Sequence, residues 1–172
     1  MLNSSTQGVD VRPLTITDAP ALLTCLLRID DTAPYLLYEP GERNWDSQTT
    51  QMVIEQSNQT GVFLGALIGE QVIGYLLMQG ADLLKIRHSA QIVVAVDAAY
   101  RQQGIGKRLF TTAIELAKAQ GLSRLELSVM PQNLAAMRMY EKFGFVQEGV
   151  KKQAIKQGDQ FMDEIMMAKL LK

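Results

Sequence analysis

The chain has 172 residues, 47% of them hydrophobic and 20% charged, which is ordinary for a soluble globular protein and enough for one domain with a buried core. A formal net charge of -1 supplies no global basic field for nucleic acid, and no apolar run is long enough to span a membrane. One Cys and one His cannot form an intrachain disulfide or a zinc-type ligand set, so neither a disulfide scaffold nor a metal site is expected.

Residues 1–8 read as a polar tail without the basic-then-apolar layout of a signal peptide. Val9–Pro13 is a first strand, ended by its proline. Thr17 or Asp18 can cap a helix with Pro20 in its first turn and Leu22, Leu23, Leu26, Leu27 and Ile29 on its apolar side. Cys25 falls in that pattern as a small core residue, and a reduced, cytoplasmic location is the expectation. The stretch from Asp30 to Asp46 is irregular and holds Tyr35, Tyr38 and Trp45; Ser47 then caps a second helix through about Gln56, with Met52 and Val53 inward.

Val62–Ile68 and Gln71–Met78 form a hairpin around Gly69-Glu70, and His88–Val96 is the next strand. A helix from Gly104 to Gln120 stops at Gly121. Leu122–Val129 is a strand ended by Pro131, and Asn133 opens a helix to Phe143. Phe145–Ile155 and Phe161–Leu171 are two final strands joined by Lys156-Gln-Gly158-Asp. The order β-α-α-β-β-β-α-β-α-β-β predicts an α/β fold, a mixed sheet with helices on both faces, as one domain over 1–172.

The stretch from Gln91 to Phe110 is the centre of this pattern. Ile92, Val93, Val94 and Val96 make a strand, and Gly104 and Gly106 bracket a turn that opens a helix. Unpaired N–H groups and the positive end of the helix dipole make such a turn a seat for phosphate. It is not a P-loop: Gly106-Lys107 is followed by Arg108, and Arg101 stands where the first glycine should be. It is not a dinucleotide fingerprint, because Leu109 replaces the third glycine. It does meet the pattern Q/R-x-x-G-x-G/A, as Arg101-Gln102-Gln103-Gly104-Ile105-Gly106.

A second motif follows the next strand, Asn133-Leu-Ala-Ala-Met-Arg-Met-Tyr140-Glu-Lys-Phe143-Gly-Phe145. Together the two resemble the GNAT superfamily of acyl-CoA N-acyltransferases, most strongly over residues 88–145 and weakly over 30–60. Arg87-His88-Ser-Ala-Gln is similar to a segment of small bacterial acetyltransferases. The resemblance implies the GNAT-type fold with a splayed central strand, acetyl-CoA as acyl donor, and direct attack by a primary amine.

It further implies that the backbone of Val94, Ala95 and Val96 pairs with the pantetheine arm and supplies an oxyanion N–H. The pyrophosphate is expected on the N–H groups from Gln102 through Gln103, Gly104, Ile105 and Gly106 to Lys107, with Arg101, Lys107 and Arg108 adding positive charge. Asn133 and Tyr140 lie seven residues apart and so nearly on one helix face. The family places that Asn near the cofactor and that Tyr as the general acid for the leaving thiolate.

The general base stays open. The positions where relatives carry a Glu hold Ser128 and Ala90, which leaves His88, Glu126 or bound water. His88 is read as sharing a strand face with Ala90. For the acceptor, a small amine or a peptide or protein amine, Tyr35, Tyr38, Trp45, Glu39 and Glu42 read either as a receptor for a cation or as a packed lid; Asp163 and Glu164 add acid. No nucleic-acid or membrane partner is expected; a homodimer is family habit. Two other readings stand beside the enzyme: a non-catalytic acyl-CoA-binding or regulatory module, and transfer of a different acyl group.

Overall fold

The computed structural model describes residues 8–172, so all of the expected tail but Gly8 lies outside the described residues. Seven strands form one sheet: β1 (Val9–Pro13), β2 (Val62–Ile68), β3 (Gln71–Gly80), β4 (Ser89–Val96), β5 (Arg124–Val129), β6 (Val146–Gln157) and β7 (Gln160–Leu170). Their order across the sheet is β1-β2-β3-β4-β5-β7-β6. Every neighbour is antiparallel except β4 and β5, which run parallel across the connection through α3 (Ile105–Ala119).

The other helices are α1 (Ala19–Asp30), α2 (Ser47–Thr60) and α4 (Leu134–Lys142). Two cores lie on opposite faces of the sheet. On one, Leu109, Phe110 and Ala113 of α3 and Tyr140 of α4 pack on Leu64, Leu76, Ile92 and Leu125. On the other, Leu22, Cys25, Leu26 and Ile29 of α1 and Ile54 of α2 pack on Phe63, Leu67, Val72 and Tyr75. This second layer covers β2 and β3 but stops short of β5: Val93 of β4 is 44% exposed, and Gln91 and Ser128 are open as well.

Several sequence-predicted details shift. The cap of α2 is Asp46, whose carboxylate accepts from Thr49 N at 2.7 Å, not Ser47. Thr50, Ile54 and Ser57 point inward and Val53 packs beside them, while Met52 is more than half exposed. On α1, Leu27 turns outward and Cys25 takes its place in the core. The Asp18 side chain does not cap α1: it holds the Arg12 guanidinium through two 2.8 Å bonds, which keeps its carboxyl down at about 2. The last hairpin turns on Gly158-Asp159, so β6 runs two residues past its expected end and β7 starts one residue earlier.

Candidate active site

The sheet divides along β4. Strands β4 and β5 are paired only at Ser89, Ala90 and Gln91, against Arg124, Leu125 and Glu126. Beyond Gln91, β4 stays with β3 as far as Val96, while β5 stays with β7. Asp97 N donates to Ile73 O at 2.9 Å, and main-chain groups alternate sides along a strand. The N–H and C=O of Val94 therefore point into the gap, as does the N–H of Val96. Those of Ala95 point back to β3, and its side chain packs against the α1 and α2 core. Of the three residues expected to meet a pantetheine arm, the backbone of two faces the gap. The Val96 carbonyl is already taken by Arg101 Nε at 3.1 Å.

At the wide end of the gap lies the glycine turn. Asp97 caps a short 3-10 turn, Ala98–Tyr100, by accepting from Ala99 N at 3.2 Å. Then Gln102 and Gly104 both take positive φ, 60° and 78°. Left-handed residues alternating with ordinary ones turn successive N–H groups toward a common point, which is an anion-binding nest. Among the described residues, the backbone N–H groups of Gln102, Gln103, Gly104, Ile105, Gly106 and Lys107 have no protein acceptor. A Cβ on Gly104 would meet nothing within 4 Å, so that side of the turn is open, whereas one on Gly106 would sit 3.2 Å from Met139 Sδ. Orphaned donors at a helix N-terminus, an open face and flanking cations fit the pyrophosphate of a CoA thioester. The sequence showed the glycines; the positive φ of Gln102, a cost of about 1–2 kcal/mol for a non-glycine residue, it did not.

Tyr140 lies under this turn, 7% exposed, its ring 5.6 Å from that of Phe110 and 6.1 Å from that of Phe145. Burial pushes its phenol up to about 12. The hydroxyl makes no hydrogen bond within the described residues. Yet none of their side-chain polar atoms is both sealed from solvent and unpaired, so the hydroxyl opens to the groove. Asn133 is the cap of α4, accepting from Ala136 N at 3.3 Å through Oδ1 and leaving its amide NH₂ free to donate.

At the narrow end of the gap is a cleft of about 330 Å³, walled by Gln79, Gly80, Ile86, Ser89, Gln91 and Glu126 among others. The Glu126 carboxylate accepts from Arg124 Nε at 2.6 Å and Ser89 Oγ at 3.2 Å. Arg124 also forks onto Glu148 of β6; that pair draws the guanidinium further toward its charged form, Glu126 adding to it, and holds the Glu148 carboxyl low. His88 is not part of β4. It sits exposed in the preceding turn, and its carbonyl accepts from Ser123 N and Arg124 N at 2.9 and 3.2 Å, anchoring the base of the fork. The face it was expected to share with Ala90 does not exist, and it does not line the cleft.

The aromatic loop before α2 is filled from within. Arg43, 8% exposed, lies over the rings of Tyr38 and Trp45, 3.8 and 4.6 Å from their centroids, and pairs with the buried Asp30 at 2.5 and 3.1 Å. Glu42 accepts from Glu39 N at 2.9 Å and closes the loop on itself. Packing describes Tyr38 and Trp45, while Tyr35, Glu39 and Glu42 stay exposed. Among the described residues no helix is long and apolar enough to cross a membrane.

Comparison with known proteins agrees with this geometry. The profile of the acetyltransferase (GNAT) family matches residues 26–145. The L-amino acid N-acetyltransferase AaaT of Escherichia coli strain K12 is 30% identical over 109 residues, 62% of this chain and 67% of that protein. The ribosomal protein bS18-alanine N-acetyltransferase of the same strain is 27% identical over 107 residues, 58% of this chain and 72% of that protein. A GNAT-family acetyltransferase from Streptococcus pneumoniae superposes with a TM-score of 0.90 at 24% identity, over 95% of this chain and 99% of that one. The yncA protein of Salmonella typhimurium, solved with its cofactor acetyl-CoA, shares the fold with a TM-score of 0.85 at 18% identity, over 96% of this chain and 95% of that one. The chain belongs to the GNAT acetyltransferase family, as an N-acetyltransferase that uses acetyl-CoA as its acyl donor.

Proposed function

We propose that this enzyme acetylates the α-amine of an amino acid or peptide, with the acyl donor lying along the β4 side of the fork and the acceptor amine entering by the cleft at its base. The observation that carries the reading is the Glu126 carboxylate, held by Ser89 and Arg124 in the wall of that cleft. A fixed carboxylate draws an ammonium and takes its proton, directly or through one water. One relative is named for L-amino acids and the other for an alanine of ribosomal protein bS18; an amino-acid amine is what the two names share.

In this assignment the turn from Gln102 to Lys107 holds the pyrophosphate, with Arg101 and Lys107 beside it. The backbone of Val94 and Val96 orients the pantetheine, and Asn133 donates to its far side. Val94 N–H faces the position of the thioester oxygen and stabilises charge developing there. Tyr140 gives its proton to the departing sulfur. A phenol at about 12 is a weak acid toward a solvated thiolate, but a thiolate expelled into a dry groove is a stronger base than in water. We place the whole reaction in one domain, on the single sheet, and in the reducing cytoplasm of a bacterium, where the lone Cys25 needs no partner.

The test is CoA release with acetyl-CoA and a panel of free amino acids, α-amine peptides and side-chain amines such as polyamines. Turnover confined to α-amines is expected, and a preference for polyamines would sink the acceptor assignment. Within the site, Glu126→Gln is expected to lower kcat at least tenfold while His88→Ala stays within about twofold. The reverse pattern would make His88 the base.

A further inference from the structure

The connection between β3 and β4 carries a feature the chemistry above does not use. Leu83 is 71% exposed, Leu84 76% and Ile86 48%. A loose loop would let these side chains fold back onto the protein. This one is fixed: Ile86 N and Arg87 N both donate to Leu83 O, at 3.0 and 2.9 Å, and Ser89 N donates to Ile86 O at 3.0 Å. Three large apolar side chains on a hydrogen-bonded turn, held off the protein, mark a contact surface. Between and beside them stand Lys85 and Arg87, both exposed and neither in an ion pair among the described residues.

Position says what the surface meets. Ile86 belongs both to this turn and to the wall of the cleft that holds Glu126. Whatever places its amine at Glu126 therefore borders the turn. A free amino acid is contained by the cleft; a longer acceptor extends across Leu83 and Leu84. We propose that the Leu83–Arg87 turn is a docking ledge for a polypeptide acceptor, seating apolar and acidic side chains that follow its amino-terminal residue. Leucine and isoleucine supply the apolar contact, and Lys85 and Arg87 select acidic over basic neighbours. The inference rests on the α-amine reading above and adds to it that the preferred acceptor is a protein terminus of apolar-acidic sequence.

The double variant Leu83→Ser/Leu84→Ser tests it, because both side chains are exposed and the fold does not depend on them. Three acceptors are compared with acetyl-CoA: the dipeptide Ala-Gly, and two peptides of about twelve residues, an extended reach of roughly 40 Å. Both peptides begin with Ala and carry Asp; in the other places from three to eight one carries Leu and the other Ser. The wild-type enzyme is expected to favour the Leu/Asp peptide by about tenfold in kcat/KM. The variant is expected to lose that preference through KM, with kcat and dipeptide turnover unchanged. Equal use of both peptides by the wild type, or a preference that survives in the variant, overturns the ledge while leaving the α-amine reading intact. No turnover of any of the three by the wild type overturns the ledge, and the α-amine reading falls with it only if free amino acids are not acetylated either. Sedimentation that shows a wild-type dimer broken in the variant, with peptide preference unchanged, assigns the surface to a second copy and overturns the proposal. So does variant-sensitive binding to phosphatidylserine vesicles with peptide preference unchanged.

Discussion

Arg28 in α1 and Asp97 at the end of β4 meet through Nε and Oδ2 at 2.7 Å across 69 residues of sequence. The same guanidinium donates to Val72 O at 2.9 Å, and Asp97 in turn caps the short turn that leads into Gln102 and Gly104. The helix on one face of the sheet thus fixes the loop proposed to seat the pyrophosphate. Arg28→Ala leaves the buried Asp97 without its cation, a loss of about 1–3 kcal/mol. Acetyl-CoA affinity is expected to fall about tenfold, by calorimetry, while kcat at saturation stays near wild type. An unchanged Kd would separate the ion pair from the seat.

Gly104 and Gly121 form a matched pair of probes. Both have φ near +78°, at 78° and 77°, and a Cβ on either meets nothing within 4 Å. Substitution by alanine costs each about 1 kcal/mol of stability from the left-handed backbone alone. Only at Gly104 does the new methyl enter the proposed phosphate seat. Gly104→Ala is expected to raise the Kd for acetyl-CoA more than tenfold and Gly121→Ala to leave it unchanged, with similar drops in Tm. Equal affinities would place the pyrophosphate elsewhere.

Tyr140→Phe is expected to slow transfer by 10²- to 10³-fold, within the usual range for a lost general acid, with acetyl-CoA binding intact. Because burial holds the phenol up to about 12, the ratio of wild-type to variant kcat is expected to stay flat from pH 6 to 10. A ratio that collapses near pH 9 would contradict the role. Stability carries a second signature. Below about pH 10 the phenol is protonated in both folded and unfolded chains; between about 10 and about 12 only the unfolded chain ionises, so this contribution is lost as pH rises. Denaturation midpoints of wild type and Tyr140→Phe are expected to diverge only in that window.

Arg43 is read as structure. Its side chain is 6% exposed, and that of Asp30 2%. Removing one member of a buried pair costs about 3–5 kcal/mol because the other charge stays behind. Arg43→Ala is expected to lower the unfolding free energy from urea denaturation by that amount, and Arg43→Lys to recover little, since an ammonium neither forks onto Asp30 nor lies flat between Tyr38 and Trp45. A variant of wild-type stability would return the aromatic loop to the acceptor.

The legible parts of the molecule are those where local chemistry decides. Gly61 and Gly69 bound a short apolar run, so β2 falls where the pattern puts it. Gly104 and Gly106 mark the turn, and the seven-residue spacing of Asn133 and Tyr140 holds because α4 spans it. What stayed hidden depends on partners far away in sequence. The resemblance implied that the central strand splays, but nothing in β4 itself marks Gln91 as the last residue paired with β5. Arg43 reads as a surface cation until Asp30 is brought to it. His88 reads as strand because Ser89 onward is strand, yet its carbonyl is spent on Ser123 and Arg124. Glu126 was one open candidate among three, and only the fold put it in a cleft.

The parting of β4 from β5 also has a thermal consequence. A sheet with one seam held by three residue pairs gains its missing cross-links when a donor lies in the seam, so the donor acts as a folding ligand. By mass action, acetyl-CoA at about a hundred times its Kd adds about 2.7 kcal/mol to the native state. For a chain of this size that is a rise in Tm on the order of 5–10 °C. On the proposed seat, CoA after transfer keeps the pyrophosphate and pantetheine contacts and is expected to retain most of that protection. The enzyme is then at its least stable when it holds neither form, and heat or protease resistance becomes a readout of how full the seam is.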